Sequence, residues 1–357
     1  REQRAATPEE RDVLRAYSGF GAIKEVLEPL PHKKETALTP LIEELHAVLK
    51  ENTGGEREYK RYLDSLKASV LTAFYTPEPV TDAIMRMLYN AGVVPVRALE
   101  PSAGTGAFAE YLRRYNEEAE ITCFEKDPLT GLILRHLHPD DTVRVQGLET
   151  IEPAYEGHFD LITSNIPFGD VSLFDPAFSS SRDPVRRQGA WAIHNYFFMK
   201  SVDLVRAGGL IAFITSQGMA DAERNRPVRE WLMERCDLVA AVRLPNNLFT
   251  DHAGTEVGSD LIVLQKNSAA RPLSERQRDF IETRTLSNGI TVNNSFRSLD
   301  RVVQTSAKVG TNPYGKPAME FTHAGGVEGI ARALADMLAE DMERHFNREL
   351  YESHAPK

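Results

Sequence analysis

The 357-residue chain has only two cysteines, Cys123 and Cys236, too few for a disulfide framework or a zinc ribbon. Neither follows a proline, so the Pro-Cys nucleophile of enzymes that methylate cytosine at carbon 5 is missing. The ten histidines show no ligand spacing, and no metal is expected. No run of about 18 apolar residues occurs, which leaves no candidate for a membrane-spanning helix. The opening stretch, residues 1–10, lacks the apolar core of a signal peptide and reads as cytoplasmic. The chain begins on Arg1 rather than methionine, as a fragment or a processed protein would. Positive charge is not in excess either: 42 Lys and Arg against 52 Asp and Glu leave a net −10. That balance argues against wholesale electrostatic binding of nucleic acid but leaves room for a local basic face. Internal repeats and low-complexity tracts are absent.

What is present suits a soluble core-forming chain, since 41% hydrophobic residues at this length fill one large domain or two smaller ones. Residues 1–69 read as a helical extension. Thr7-Pro8-Glu9-Glu10 predicts an N-cap, a first-turn proline and a capping glutamate, with Val13, Leu14 and Tyr17 on one face. Thr39-Pro40 predicts a second helix with Leu41, Ile42, Leu45, Val48 and Leu49 inside, and a third helix is expected over 57–66. Across 70–268, short apolar runs alternate with helical stretches. Strands are expected at 96–100, 121–125, 143–145, 160–163, 210–215, 238–243 and 260–265, and helices at 107–115, 195–205 and 222–235. Such alternation predicts an α/β fold, a seven-stranded, mostly parallel sheet with helices on both faces. No helix is evident between the last two strands, so they should form an antiparallel pair at one edge. Residues 269–357 form a C-terminal extension. It ends in a helix over about 326–348, striped by Val327, Ile330, Leu334, Leu338 and Met342, which should dock on the main domain.

The first strand runs into Glu100-Pro101-Ser102-Ala103-Gly104-Thr105-Gly106-Ala107-Phe108. A glycine turn between strand and helix lets a ligand approach the backbone. Glu125, at the end of the next strand, can accept hydrogen bonds from ribose hydroxyls, and Lys126 follows it. Two cofactors compete for this pattern, a nicotinamide dinucleotide and S-adenosylmethionine; a purely structural turn is the bland alternative. A pyrophosphate prefers a helix N-terminus free of acid, whereas Glu100 suits an ammonium or sulfonium charge.

The fourth strand opens into Asn165-Ile166-Pro167-Phe168. Asn165 offers a carboxamide oxygen, and Pro167 holds Ile166 extended so that its carbonyl can face the same NH2 group. Two acceptors on one amino group localise its lone pair for in-line attack on a methyl. Phe168 offers a ring on which a planar base or amide can stack.

With this tetrapeptide, Asn165-Ile166-Pro167-Phe168, and the turn 100–108, the chain resembles the S-adenosylmethionine-dependent DNA adenine-N6 methyltransferases, whose signature is Asn-Pro-Pro-Phe or Asn-Pro-Pro-Tyr. Further likeness lies in Phe74-Tyr75-Thr76-Pro77, Gly208-Gly209, Arg243-Leu244-Pro245 and Ser259-Asp260, and the motif order is that of the gamma group, as in type I modification subunits and mobile-element methylases. The resemblance implies a Rossmann-like methyltransferase fold, a bacterial or mobile-element setting, and adenine turned out of the duplex onto Phe168. It implies that Tyr75 and Thr76 line the methionine end of the cofactor, although Thr76-Pro77 also reads as a plain helix start. It implies that Glu149 holds the cofactor's adenine amino group, although a solvated loop carboxylate fits as well. Ile166 stands where relatives have proline; the backbone role survives, with a looser loop expected.

Tyr196, Phe197 and Phe198 begin a helix near the tetrapeptide and read as core or as base contacts. Arg182, Arg186 and Arg187 lie in a polar stretch that reads either as a phosphate-contacting segment or as a solvated loop. Arg224, Arg226 and Arg229 are a second basic candidate. DNA is the expected partner, with sequence recognition supplied by a separate domain or subunit. Two rival readings are methylation of a protein glutamine and a non-catalytic cofactor-binding module.

Overall fold

The computed structural model describes residues 4–20, 23–27, 36–72, 75–168, 171–250, 257–311 and 317–356, with Lys24 and residues 68–72 described by backbone alone; Phe74 of the expected upstream segment lies outside them. Seven strands make one sheet: β1 (Arg97–Glu100), β2 (Glu120–Phe124), β3 (Thr142–Arg144), β4 (Phe159–Asn165), β5 (Val205–Ser216), β6 (Cys236–Leu244) and β7 (Ser259–Lys266). Their spatial order is β3-β2-β1-β4-β5-β7-β6. All neighbours run parallel except β7, which is antiparallel to both β5 and β6. Every expected strand is present, and the antiparallel pair does occupy one edge. What alternation does not reveal is that β7 inserts between β5 and β6.

Side chains of the central strands point alternately to two cores. Ala98, Leu161, Leu210 and Ala212 face one; Leu99, Ile162, Ile211 and Phe213 face the other. Both faces are covered, which is why these strands read as continuous apolar runs. Before the sheet come helices α1 (Pro8–Arg15), α2 (Thr39–Glu51), α3 (Glu56–Thr72) and α4 (Glu78–Asn90). Within it lie α5 (Ala107–Tyr115), α6 (Pro128–Leu137), α7 (Pro176–Ser179), α8 (Pro184–Gly189), α9 (Ile193–Leu204), α10 (Gly218–Asp221) and α11 (Arg226–Met233). The α1 capping box forms as its sequence predicts, with Glu10 N–H donating to Thr7 Oγ1 at 3.3 Å and Thr7 N–H to Glu10 Oε2 at 2.8 Å.

Helix faces are less faithful to the reading. Ile42 and Leu49 are buried, but Leu41 and Val48 are exposed, as is Val13. Leu41 and Val48 share a stripe seven residues apart, and α2 instead turns Leu49, with Leu45 beside it, toward Val26 and Leu66. The C-terminal helix, Gly326–His345, packs on α4 and β6 through Ile330, Leu334, Leu338 and Met342. It stops before 348, and a second helix, Arg348–Ser353, begins with Asn347 Oδ1 accepting from Leu350 N–H at 2.9 Å.

Strand order reverses between β1 and β4, whose carboxyl ends therefore flank a crevice. Both the glycine turn and the tetrapeptide open there.

Candidate active site

Glycine is required in the β1–α5 turn by backbone and space together. Gly104 has φ 57° and Gly106 φ 89°. A Cβ on Gly104 would stand 3.1 Å from the Tyr75 ring, and one on Gly106 would collide with His138. Two buried or half-buried acids hold the turn. Glu100 accepts from Ala109 N–H at 2.8 Å and, more weakly, from Phe108 N–H at 3.4 Å, closing the start of α5. Burial raises its pKa well above the ordinary carboxylate value, against those two N–H groups. Glu125 accepts from Gly104 N–H and Asp127 N–H, both at 2.8 Å. Its pKa is pushed up to about 7, chiefly by burial. Glu100 thus spends its carboxylate on the helix terminus, which removes much of its value as a counter-charge for a cationic ligand.

The tetrapeptide continues β4 out of the sheet. Ser164 Oγ donates to Ser102 O at 2.8 Å, tying this strand end to the turn. Asn165 pairs in register with Ile214. Ile166 N–H then donates to Ile214 O at 3.0 Å, while its side chain is 1% exposed and packs in the core. A proline here would lack that N–H. The expectation that Ile166 loosens the loop is therefore reversed: the isoleucine extends the ladder by one bond. The Phe168 ring lies edge-on to Phe249, centroids 6.1 Å apart at 72°.

Turn and tetrapeptide line one cavity of about 250 Å³. Tyr75, Thr76, Glu100, Pro101, Ser102, Ala103, Gly104, Phe108, Glu125, Lys126, Glu149 and Asn165 through Phe168 all reach its wall; Gly106 does not, its glycine serving the turn and His138. The wall also includes Ala107, within the turn already read, and Asp127, Thr130, Gly147, Leu148, Leu173 and Ile193, which sequence reasoning did not assign to it. Asp127-Pro128 carried a visible N-cap signal, and Asp127 Oδ2 accepts from Thr130 N–H at 2.8 Å. Leu173 and Ile193 arrive from distant sequence and carried no signal. The α4 N-cap is Pro77, without a side-chain cap bond, so Thr76 does not serve as a helix start. Its Oγ1 is buried at the cavity wall with no hydrogen-bond partner among the described residues.

Among the described residues, Glu149 is bonded at one oxygen: Lys126 Nζ lies 3.2 Å from Oε1, while Oε2 is buried and has no partner there. The carboxylate folds back over Gly147, where any Cβ would collide with it. Two orphaned polar atoms at the wall of a half-apolar cavity are what a nucleoside-bearing cofactor would satisfy. S-adenosylmethionine fits this set: Glu149 suits an adenine amino group, Glu125 ribose hydroxyls and Thr76 a polar end.

Of the expected substrate contacts, Tyr196 and Arg186 are engaged within the protein, while Phe197, Arg182 and Arg187 stay accessible to the cavity or the surface. Tyr196 is fully buried away from the cavity, its hydroxyl donating to Asp175 Oδ2 at 2.7 Å. Phe198 is core, whereas Phe197 does reach the cavity. Arg186 makes a bidentate pair with Asp203 at 2.8 and 2.7 Å and lies over the Phe178 ring. Arg182 and Arg187 are exposed, and Arg187 also donates to Ser181 O at 2.6 Å. The supposed loop is largely ordered into α7 and α8. In the second basic cluster, Arg226 pairs with Glu282 and Glu230, and Arg229 is fully buried, donating to the carbonyls of Ile281, Met219 and Ala222.

The chain is 26% identical over 203 residues to defense against restriction protein B of Escherichia phage P1, an alignment covering 56% of this chain and 8% of that protein. It is 26% identical over 231 residues to the type II methyltransferase M.XamI of Xanthomonas campestris pv. amaranthicola, covering 61% and 43%. The chain thus spans less than half of either curated relative. Among solved structures, the type IIG restriction endonuclease BpuSI aligns at 15% identity and a TM-score of 0.45, over 68% of this chain and 32% of that one. The sequence model of the N-6 DNA Methylase family matches residues 61–312, well over half the chain, and the protein belongs to that family.

Proposed function

We propose that this chain transfers a methyl group from S-adenosylmethionine to the N6 amino group of adenine in DNA. The observation that carries this reading is the convergence of Asn165, Ile166 and Phe168 with the glycine turn on one cavity. Thr76, Glu125 and Glu149 would hold the cofactor, which when bound supplies an electrophilic methyl on a sulfonium. Asn165 Oδ1 and the Ile166 carbonyl accept the two hydrogens of the amine, leaving its lone pair directed out of the ring plane. Phe168, braced by Phe249, presents a ring to the base. The methylated amine is briefly cationic and loses its proton without a dedicated strong base, so positioning supplies most of the rate. The catalytic unit on this reading is 70–268, with sequence recognition supplied by another domain or subunit. Two of the curated relatives, a defense against restriction protein and a type II methyltransferase by name, support the setting.

The test is incubation with labelled cofactor and mixed-sequence duplex DNA, followed by nucleoside analysis. N6-methyladenine is the expected product. Label in protein glutamine, or cofactor binding with no product on DNA, would replace this reading with one of its rivals. Asn165→Ala should cut turnover roughly 100-fold or more and leave cofactor affinity within about twofold by calorimetry.

A further inference from the structure

Within two residues of the cavity-lining Leu173 and Ile193 stand the two most exposed aromatic rings among the described residues, Phe174 at 74% and Trp191 at 68%, with Val171 at 60%. Large rings left in water on a folded surface signal a binding role when they are held in place and grouped. These are both. Leu173 N–H donates to Ala190 O at 2.9 Å, laying the two segments side by side so that the rings project from adjoining backbone. Each ring is anchored by a buried neighbour. Asp175, next to Phe174, accepts from Tyr196 Oη at 2.7 Å, Lys200 Nζ at 3.0 Å and Ala177 N–H at 2.8 Å. Ala190 and Ala192 on either side of Trp191 are buried. Leu173 and Ile193, one and two residues from the rings, line the cavity itself. Exposed Arg182 and Arg187 lie on the same segment of an otherwise acidic chain.

We infer that Phe174 and Trp191 form a stacking platform for the nucleobases flanking the extruded adenine, holding the duplex open at the lip of the site. The inference rests on the proposed adenine reading and adds the surface that would read the DNA around the target. Unpaired bases offer flat π faces, which exposed rings stack on without regard to sequence, and the neighbouring arginines suit phosphates. This also gives buried Tyr196 a positioning role through Asp175.

The chain has two tryptophans, and Trp231 is only 6% exposed, so the difference in emission between wild type and Trp191→Phe isolates Trp191. Adding adenine-containing duplex DNA should quench that difference signal. The Phe174→Ala/Trp191→Ala double variant should lose roughly tenfold or more in kcat/KM on paired adenine, regain most of it on adenine opposite an abasic gap, and keep its affinity for S-adenosylhomocysteine. Trp191→Phe, which retains a ring, should stay near wild type. Duplex DNA that leaves Trp191 emission unchanged overturns the inference, as does equal loss on paired and gapped substrates, which would make the rings structural. Emission that responds to protein concentration instead of DNA would assign the patch to contact between two copies of the chain. A wild-type chain that quenches with DNA but methylates no adenine would sink the proposed activity and leave the platform standing.

Discussion

At the β1–β2 side of the sheet, Glu100 and Glu125 are held by backbone N–H groups, and among the described residues neither has a cationic partner. At the β6–β7 side, Asp260 is held by Arg243 at 2.9 and 3.1 Å, Arg243 reaches Asp221 at 2.9 Å, and its guanidinium lies over the Phe296 ring. Both arrangements bury carboxylates. The arginine network is closed, with each charge answered inside the protein. The acids of the turn are answered by backbone N–H dipoles instead, and they border a cavity. Burial raises the pKa of acids on both sides, Asp260 included, so what sets the turn apart is the lack of a cationic partner beside a cavity, the place the proposed reading gives to the cofactor.

The sharpest way to break this contrast is Arg243→Met. It strands Asp260 in the core and removes the ion pair of half-buried Asp221, and should cost about 3–5 kcal/mol of stability by urea unfolding, with cofactor affinity of the folded fraction unchanged. A loss below about 1 kcal/mol would mean the network is not the closed structural unit described. Next in size is Glu125→Gln. Losing a charged acceptor for two hydroxyls should weaken cofactor binding roughly tenfold. Its pH signature runs one way. The native state keeps this carboxyl protonated to about 7, against the ordinary 4.5. Between those values the folded protein binds more protons than the unfolded one, so stability falls as pH rises through the interval. Cofactor affinity should rise over the same range as the carboxylate ionises; Glu125→Gln should flatten that rise and remove Glu125's share of the stability trend, to which buried Glu100 also contributes. Melting curves and calorimetry from pH 5 to 8, on the order of the predicted window, would show them. The smallest effect is expected from Ile166→Pro, which removes one ladder hydrogen bond. About 0.5–1.5 kcal/mol of stability should go while methyl transfer persists; abolished transfer would show that the Ile166 N–H does more than brace the loop.

The difference between the two sides also explains what could be read from residues alone. All seven strands and the span of α5 were legible, because strands buried on both faces are apolar runs and a glycine turn punctuates its helix. The tetrapeptide and turn were legible because each is contiguous and sits at a strand end. Polar side chains were not. Tyr196, Arg186 and Arg229 each take a partner brought from 17 to 52 residues away, Asp175, Asp203 and the Ile281 carbonyl in turn. No local pattern announces such partners. Leu41 and Val48 failed for a related reason: a helix with two adjacent apolar stripes needs its neighbour to choose between them.

Gly147 sits at φ −75° and ψ 154°, an unremarkable extended conformation open to any amino acid. Judged by its backbone it is replaceable, and a Gly147→Ala chain would fold and look intact. Yet a single added methyl would meet the Glu149 carboxylate and force it to move. On the proposed reading, the seat of the contact to the cofactor's adenine therefore depends on a position that contributes no functional group.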